Sequence, residues 1–561
     1  NANKKSDPNK LNEDYYGWHR ATFDALLNYD KQFGLHGLKA MAGWHTEKYT
    51  YNETKAERKN FPNNDLTDMN AGDASTQKNS GLSRELAMIS WFGRINYDYM
   101  QKYLLELNFR YDGSSRFPDG KKWAFFPSAS AGWRASEEKF MEWAKPTLSY
   151  LKLRTSWGTI GNQDVAANSF ISTMATEKSG WVEDGQELIS LEGPTVVSPN
   201  LTWERVTTFD IGIDAGLFND DLMYTFDYYH RLTSDMHTPG EQLPVTFGAS
   251  VPMQNYGEMT GNGFEAGIDY HHQFTKDFAI KASANISHVI EKITKYNKED
   301  RNIYGYYEGK RLGEIWGYET DRLFQASDFN SDGTLKTGLP SQSLYETGSF
   351  KFGPGDVKYK DLNGDGKITY GKNTVEDHGD LKVIGNSLPD YEYSFTLGAT
   401  WKEFDVSTFF QGVGKHDYWA YGSVAIPGGG SSYAESVFQH QMDYWTPENT
   451  DAFYPRPSDN SWNTNGMNFL CQTRYLCHMA YLRCKNITVG YTLPTALTKR
   501  IYMQSVRVYF SGENLFEFDN MKLPVDPEST DYKVGSGSGT RSFGISDPDS
   551  RTLSFGLQVV F

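Results

Sequence analysis

Long apolar runs are missing from this chain of 561 residues. No stretch approaches the ~18 consecutive apolar residues that a membrane-spanning helix requires, so an α-helical membrane protein is excluded. Cysteine is scarce: there are three, Cys471, Cys477 and Cys484. They form no CxxC pair and no histidines stand at zinc-finger spacing, which removes the usual structural zinc sites. A loop disulfide between Cys471 and Cys477 stays open in an oxidising compartment. Positive charge is in deficit, with 55 Lys and Arg against 71 Asp and Glu and a formal net charge of -16. With no basic cluster, the composition argues against nucleic acid as a partner. The signatures of hydrolysis are lacking as well. There is no G-x-S-x-G, H-E-x-x-H or P-loop, and His36 and the His271-His272 pair stand without a nucleophile. The expectation is that the chain is not an enzyme.

Aromatic residues, by contrast, reach 15% (36 Tyr, 34 Phe and 14 Trp), and glycines number 52, while hydrophobic residues as a whole make up 38%. That mixture suits many short strands joined by turns and belted by aromatics. The last stretch, 551–561, shows the pattern most clearly. Leu553, Phe555, Leu557, Val559 and Phe561 fall on one face of an extended strand, and Ser554, Gly556 and Gln558 on the other, with Val560 the exception. The same period of two recurs through 103–112, 209–217, 264–270, 393–401 and 506–511. Only every second residue of a barrel strand need be apolar for the strand to cross a bilayer. The predicted fold class is therefore all-β, a transmembrane antiparallel β-barrel. Strands are expected at 20–29, 35–46, 87–98, 102–112, 125–135, 149–158, 206–217, 222–232, 262–272, 277–289, 391–401, 405–413, 480–492, 504–512 and 551–561.

The connections alternate in length. Short ones are 30–34, 98–101, 218–221, 273–276 and 402–404; long ones are 47–86, 159–205, 233–261, 290–390, 414–479 and 513–550. Bacterial barrels have short periplasmic turns and long extracellular loops, which orients the strands; a soluble sandwich has no cause to sort loop length by parity. The first expected strand precedes a short turn and the last follows a long loop, so both run toward the periplasm. Two strands running the same way do not close an antiparallel barrel. The expectation is that an odd number of further strands lies upstream and that 1–561 is the C-terminal part of a larger barrel, cut at an extracellular loop. The opening N-A-N-K-K-S-D-P-N-K carries no signal peptide, although an outer-membrane protein must be exported, in keeping with that expectation.

Particular segments add a resemblance. They are R-Y-D-G-S-S-R-F at 110–117, F-P-S-A-S-A-G-W-R-A-S-E-E at 126–138, L-K-L-R-T-S-W-G-T-I-G-N-Q at 151–163, N-L-T-W-E-R at 200–205, G-N-G-F-E at 261–265, Y-L-R-C-K-N-I-T-V-G-Y-T-L-P at 481–494 and R-V-Y-F-S-G-E-N-L-F at 507–516. In this order and spacing they closely resemble the SusC-like (RagA-like) TonB-dependent outer-membrane transporters of Bacteroidetes, from about Leu26 to the end. The resemblance implies a barrel of ~22 strands in the cell outer membrane with a plugged lumen, of which this chain would hold the last strands; the plug domain and the first strands would lie outside it. It implies active import of a large nutrient, an oligosaccharide or an oligopeptide, with a passive porin as the rival reading. The implied partners are a SusD-like surface lipoprotein as lid, TonB–ExbB–ExbD acting through the plug, the N-terminal part of the same barrel and outer-membrane lipid. A dimer of transporter–lipoprotein pairs is implied as well.

One segment reads as a metal loop. Asp361, Asn363 and Asp365 offer oxygens at positions 1, 3 and 5 of a calcium loop, Gly366 permits the sharp turn, and Lys367 and Thr369 stand at positions 7 and 9. Position 12 is Lys372 rather than the bidentate Glu; Glu376, Asp377 or Asp380 are candidates to replace it after a shifted turn. The competing reading is an Asx-Gly turn with solvated carboxylates, which also applies to the shorter segment 328–333. The expectation is a calcium ion that stiffens an extracellular loop, and no other cofactor. For substrate contact the long loops offer Trp181, Trp316, Tyr318, Tyr418, Trp419, Tyr421 and Trp462, whose flat faces stack on sugar rings and pack on peptide side chains; the competing reading of each is a girdle aromatic or a residue packed against the lid protein.

Overall fold

The structure, a computed structural model, describes residues 8–561 apart from 241–243, 245, 247, 347–349, 421, 423, 428–436, 458–466, 529–531, 534–540 and 543–548. Fifteen strands form one sheet, each beside its neighbour in sequence. They are β1 (Lys10–Phe33), β2 (His36–Lys59), β3 (Lys78–Tyr99), β4 (Tyr103–Ser114), β5 (Trp123–Arg134), β6 (Leu148–Asn162), β7 (Glu204–Leu217), β8 (Leu222–Pro239), β9 (Met253–Thr275), β10 (Phe278–Lys295), β11 (Tyr391–Trp401), β12 (Phe404–Gly414), β13 (Tyr481–Thr492), β14 (Ser505–Asp519) and β15 (Thr552–Val560). All fifteen expected strands are present. The chain divides into two compact units, one of Asn1–Trp133, Arg154–Phe209 and Leu232–Glu258, the other of Arg134–Leu153, Asp210–Arg231 and Met259–Phe561.

The strands wear their grease outward. On β4, Tyr103, Leu105, Leu107, Phe109 and Tyr111 are all between 41% and 47% exposed. On β15, Leu553, Phe555, Leu557 and Phe561 are 63%, 79%, 64% and 78% exposed. A soluble sandwich would bury these residues between two sheets. The opposite face of β3 and β4 is polar and internally bonded. Arg94 Nε donates to Asn108 Oδ1 at 2.9 Å, Asn108 Nδ2 donates to Glu106 Oε1 at 2.8 Å, and Arg110 Nη2 donates to Ser90 Oγ at 2.8 Å.

Register turns this alternation into belts. In the first unit, Phe33, His36, Tyr99, Tyr103 and Trp133 stand directly opposite one another across β1–β5 at the short-turn end. Eight residues further along each strand, Ala25, Trp44, Trp91, Tyr111 and Phe125 form a second row. At ~3.3 Å per residue the rows lie about 26 Å apart along the strands, or roughly 20 Å along the normal of a tilted sheet. That approaches the ~25 Å apolar band between the aromatic girdles of an outer-membrane barrel. Within the second unit, Phe278, Trp401, Phe404 and Tyr491 make the corresponding row at the short-turn end.

Strand lengths depart from expectation beyond the outer belt. β2 runs on to Lys59 and β3 starts at Lys78, so the loop expected over 47–86 shrinks to 60–77. The ladder between them continues without a break from His36↔Tyr99 to Glu57↔Lys78. Side chains there are polar on both faces, so the backbone pairing persists where the apolar alternation has stopped. Two connections are longer than a tight turn at the other end: 135–147, with short 3-10 turns Ala135–Glu137 and Lys139–Met141, and 493–504, with a helical turn Thr495–Thr498.

A charge placed midway between the belts should be costly only on the greasy face. Leu107→Arg is expected to destabilise the protein in liposomes by ~2–4 kcal/mol. Asn96→Arg on the other face, directly opposite Glu106, should be near neutral. Equilibrium unfolding in liposomes reads both; equal effects would refute the assignment of faces.

Candidate functional site

The two longest loops fold as one. Segments 296–390 and 415–480 contribute jointly to a core of Ile303, Tyr318, Leu323, Val357, Tyr359, Ile368, Leu381, Tyr454, Phe469 and Tyr475, all under 10% exposed. Backbone bonds join them: Tyr318 N donates to Cys471 O at 2.7 Å and Thr473 N to Tyr318 O at 3.0 Å. Asp356 is fully buried and takes a two-pronged bond from Arg456, at 3.0 and 2.7 Å, and a third from Asn468 Nδ2 at 2.9 Å. A carboxylate withdrawn from water is tolerated here because its oxygens meet a planar guanidinium and an amide. A second anchor lies on β13. The Arg483 side chain, 5% exposed, meets Glu517, Asp526 at 2.5 Å, Glu528 at 2.8 Å and Asp549 at 2.9 Å, and so holds the segment after β14 against the polar face of the sheet.

These loops absorb most of the aromatic residues expected to meet substrate. Trp316 donates from Nε1 to Glu314 Oε1 at 2.8 Å and packs on His378, with ring centroids 5.4 Å apart. Tyr318 is buried in the shared core and Trp419 packs against it. Tyr418 packs on a neighbouring cluster around Ala420, Cys477 and Met479. Trp181 is different: it sits on the hairpin of Thr176–Glu183 and Gln186–Leu191 and is 71% exposed. Tyr421 and Trp462 lie outside the described residues. Among the described residues, Trp316, Tyr318, Tyr418 and Trp419 are committed to packing within the second unit, and Trp181 is displayed on the first.

The cysteines are free thiols, so the disulfide left open between Cys471 and Cys477 is not formed. Each is built into packing instead. The Cys471 carbonyl serves Tyr318, and Cys477 pairs with Tyr418 across the bridge Asp417–Trp419/Leu476–His478. Burial pushes both thiols up to about 12, which keeps them protonated and unreactive at neutral pH.

The segment expected to bind calcium forms a tight loop around its oxygens. Asp361 accepts from Gly364 N at 2.6 Å and Gly366 N at 2.8 Å; Asn363 Oδ1 accepts from Asp365 N at 2.9 Å and Asp365 Oδ1 from Lys367 N at 2.8 Å. Gly364 and Gly366 have φ of +76° and +80°, which a glycine adopts without strain. Of the acids suggested to complete the set, Asp380 instead pins the base of the loop, accepting from Leu362 N at 2.8 Å and Thr369 N at 2.7 Å. Glu376 pairs with Arg301. Among the described residues no three His, Cys, Asp or Glu side chains converge as a metal group. The oxygens of Asp361, Asn363 and Asp365 are held in place by N–H groups of the loop itself. In the shorter segment, Asp328 is held by Arg322 at 2.6 and 2.7 Å and Asp332 caps Thr334 N at 3.0 Å, an Asx turn.

Two features escaped the sequence reading. The first is a cleft of about 430 Å³ on the polar face of the second unit, with Asp227, Glu265, Asn285, Glu392, Ser394 and Gln411 on its walls. The period of two assigns each of these to the polar face, but not the concavity between them. The second is a knot in the first unit where four of the segments that carry the family resemblance meet. Trp203 is 3% exposed, its ring centroid 5.2 Å from that of Phe117 and 5.4 Å from that of Phe126, and its Nε1 donates to Lys122 O at 2.8 Å. Phe126 lies where a Cβ on Gly161 would stand, so that position requires glycine. Below the rings, His237 Nε2 lies 2.7 Å from Thr202 O and its Nδ1 3.2 Å from Glu204 Oε1; Asn162 Nδ2 donates to Glu204 Oε2 at 2.7 Å. Both ring nitrogens face acceptors, so the imidazolium satisfies the site and the neutral ring does not. Burial alone would lower the His237 pKa, but the Glu204 carboxylate and the Thr202 carbonyl outweigh it and hold it above the ordinary 6.5. Glu204 is likewise raised by burial and lowered more by His237 and Asn162, ending below the ordinary 4.5.

Residues 1–515 match the family model for the TonB dependent receptor-like β-barrel, and the chain belongs to that family. TonB-dependent receptor P3 of Formosa agariphila is 30% identical over 553 residues, 95% of this chain and 52% of the relative. TonB-dependent receptor SusC of Bacteroides thetaiotaomicron is 26% identical over 573 residues, 99% of this chain and 52% of the relative. The chain thus spans about half the length of the curated relatives it matches. Among solved structures, the RagAB peptide importer in its open-open state gives a TM-score of 0.75 at 21% identity, covering 98% of this chain and 56% of that one. That likeness establishes the fold. The resemblance to SusC-like transporters is borne out, and the chain is an outer-membrane β-barrel protein that crosses with strands. The long-loop end is accordingly extracellular and the short-turn end periplasmic.

The knot gives a pH-dependent expectation. His237, with its raised pKa, contributes stability that is full below the ordinary 6.5 and is lost as pH rises through the folded value. Glu204, with its lowered pKa, contributes stability that is full above the ordinary 4.5 and is lost as pH falls through the folded value. His237→Gln should therefore cost about 1–3 kcal/mol near pH 5.5 and clearly less near pH 9. Thermal unfolding at the two pH values measures the difference; a cost that does not change with pH contradicts the charged pair.

Proposed function

We propose that this chain is the barrel portion of a TonB-dependent importer that carries a large nutrient, an oligopeptide or an oligosaccharide, across the outer membrane. The observation that carries the reading is the family match over residues 1–515, with relatives named as TonB-dependent receptors along nearly the whole chain. A ligand too large for porin diffusion needs a wide polar passage, which the bonded polar faces of the strands and the cleft beside Glu265 and Glu392 suit. Binding alone does not drive accumulation, so the work comes from TonB–ExbB–ExbD through a plug. The folded loops support a mouth shaped to meet a SusD-like lipoprotein. The RagAB likeness, to a peptide importer, favours the oligopeptide arm. No reaction is assigned to the chain.

Uptake of labelled oligopeptides and oligosaccharides in cells with and without the gene tests this reading. The expected result is gene-dependent accumulation that stops when the proton-motive force is collapsed. Accumulation that survives the collapse would support a passive porin and overturn the importer.

The same reading includes a calcium ion at Asp361, Asn363 and Asp365, completed by the Lys367 carbonyl and supported by Thr369, that stiffens the extracellular loop. With no carboxylate at the twelfth position, the affinity is expected in the weak extracellular class, on the order of 10⁻⁴–10⁻³ M. Millimolar calcium should raise the melting temperature of chelator-treated protein, and Asp361→Asn should abolish the rise. No shift in the native protein would remove the site.

A further inference from the structure

Five of the described periplasmic connections are tight, at 34–35, 100–102, 218–221, 276–277 and 402–403, and two are not. The two exceptions share one design. In 135–147, Ala135, Ser136 and Ala144 are buried while Phe140 and Trp143 are 60% and 81% exposed, flanked by exposed Lys139, Glu142 and Lys145, with Glu137 and Glu138 before them. In 493–504, Thr498 is buried while Leu497 and Tyr502 are 51% and 93% exposed, flanked by exposed Lys499 and Arg500. The second segment contains no acid. Both are fastened: Leu148 N donates to Ala144 O at 2.7 Å and Phe218 N to Thr147 O at 2.8 Å, while Leu493 N donates to Val506 O at 2.8 Å and Gln504 N to Val560 O at 2.7 Å. Rigid turns that spend their small residues on packing and hold their largest apolar side chains outward are built for a non-aqueous neighbour.

The neighbour is set by position. Tyr491, in the aromatic row with Phe404 and Trp401, comes two residues before Leu493, and its ring centroid is 4.7 Å from that of Phe404. Trp401, Phe404 and Phe561 are 58%, 49% and 78% exposed on the same greasy face. Trp133, in the row of the first unit, precedes the other turn by a single residue. Both turns therefore leave the sheet at the depth of its aromatic rows, and at headgroup depth amphipathic rings and basic residues both gain.

We propose that 135–147 and 493–504 are interfacial anchors, which lay Phe140, Trp143, Leu497 and Tyr502 into the periplasmic leaflet and set Lys499 and Arg500 against its phosphates. The occupant is the phospholipid surface. The anchors would fix the depth and tilt of the sheet independently of any substrate. The probe is the purified full-length protein in vesicles of phosphatidylethanolamine and phosphatidylglycerol. The Trp143 signal is isolated as the difference between the native protein and Trp143→Phe. Lipid brominated near the top of its acyl chains is expected to quench that component roughly twofold or more, and aqueous iodide to leave it nearly unchanged. Tyr502→Trp, made in the Trp143→Phe background, reports the second turn in the same way. Replacing Lys499 and Arg500 by Glu should weaken quenching at 502 in anionic vesicles, with folding checked by heat-modifiable migration. A reporter reached by iodide and blind to brominated lipid overturns the proposal for its turn. So does one shielded from both, which would mean that protein covers it.

Discussion

Hydrocarbon offers no hydrogen-bond partner, and that constraint sits beneath every feature of this molecule. A peptide group inside the bilayer must find its mate on the next strand, so strands follow one another in sequence order through the sheet. Once the backbone is satisfied laterally, side chains are free to invert the usual arrangement. Leu105, Leu107 and Phe109 face outward, while Glu106, Asn108 and Arg110 bond among themselves and to β3 on the other face. The polar face needs that internal bonding. A lone arginine there would leave its donors unsatisfied, whereas one committed to Ser90 and Asp112 presents a fixed pattern of donors.

Outside the bilayer the constraint lapses and ordinary globular physics returns. The two long extracellular loops of the second unit bury Tyr359, Ile368 and Tyr454 as a soluble domain would. They also accept what a soluble domain accepts reluctantly, a buried carboxylate, because Arg456 donates to both oxygens of Asp356, from Nε and Nη2. Each fully buried large apolar side chain contributes roughly 1.5–3 kcal/mol to holding that fold. The described parts of these loops are thus held in one shape by their own buried core.

The part of the fold governed by lipid was legible from the chain, because lipid enforces a period of two and aromatic ends. The part governed by water was not. Lys48–Lys59 belongs to β2, but both of its faces are wet, so nothing in the order of polar and apolar residues marks it as strand. The shared loop core was hidden for another reason: its contacts join residues far apart in sequence, such as Val357 N to the Asn468 side chain at 2.8 Å, across 111 positions. Loop aromatics were therefore read as free surface. Trp316, Tyr418 and Trp419 turn out to be packed, and Trp181 is exposed. The calcium loop was legible as a turn, since Gly364 and Gly366 carry positive φ, while the engagement of Asp380 and Glu376 elsewhere depends on partners that spacing does not reveal.

The segments that carried the family resemblance occupy a telling place. N-L-T-W-E-R brings Trp203 between Phe117 and Phe126, its Thr202 and Glu204 hold His237, and T-I-G-N supplies Gly161 beneath the Phe126 ring and Asn162 to Glu204. Each of these residues is consumed by its neighbours, and none presents an open polar group to a passing ligand. Such segments therefore report how the extracellular rim of the first unit is braced and say little about cargo. Determinants of cargo belong where side chains are displayed and not spent. Under the importer reading proposed above, the polar wall around Glu265 and Glu392 and the exposed hairpin carrying Trp181 are better places to look than the segments by which the chain is recognised.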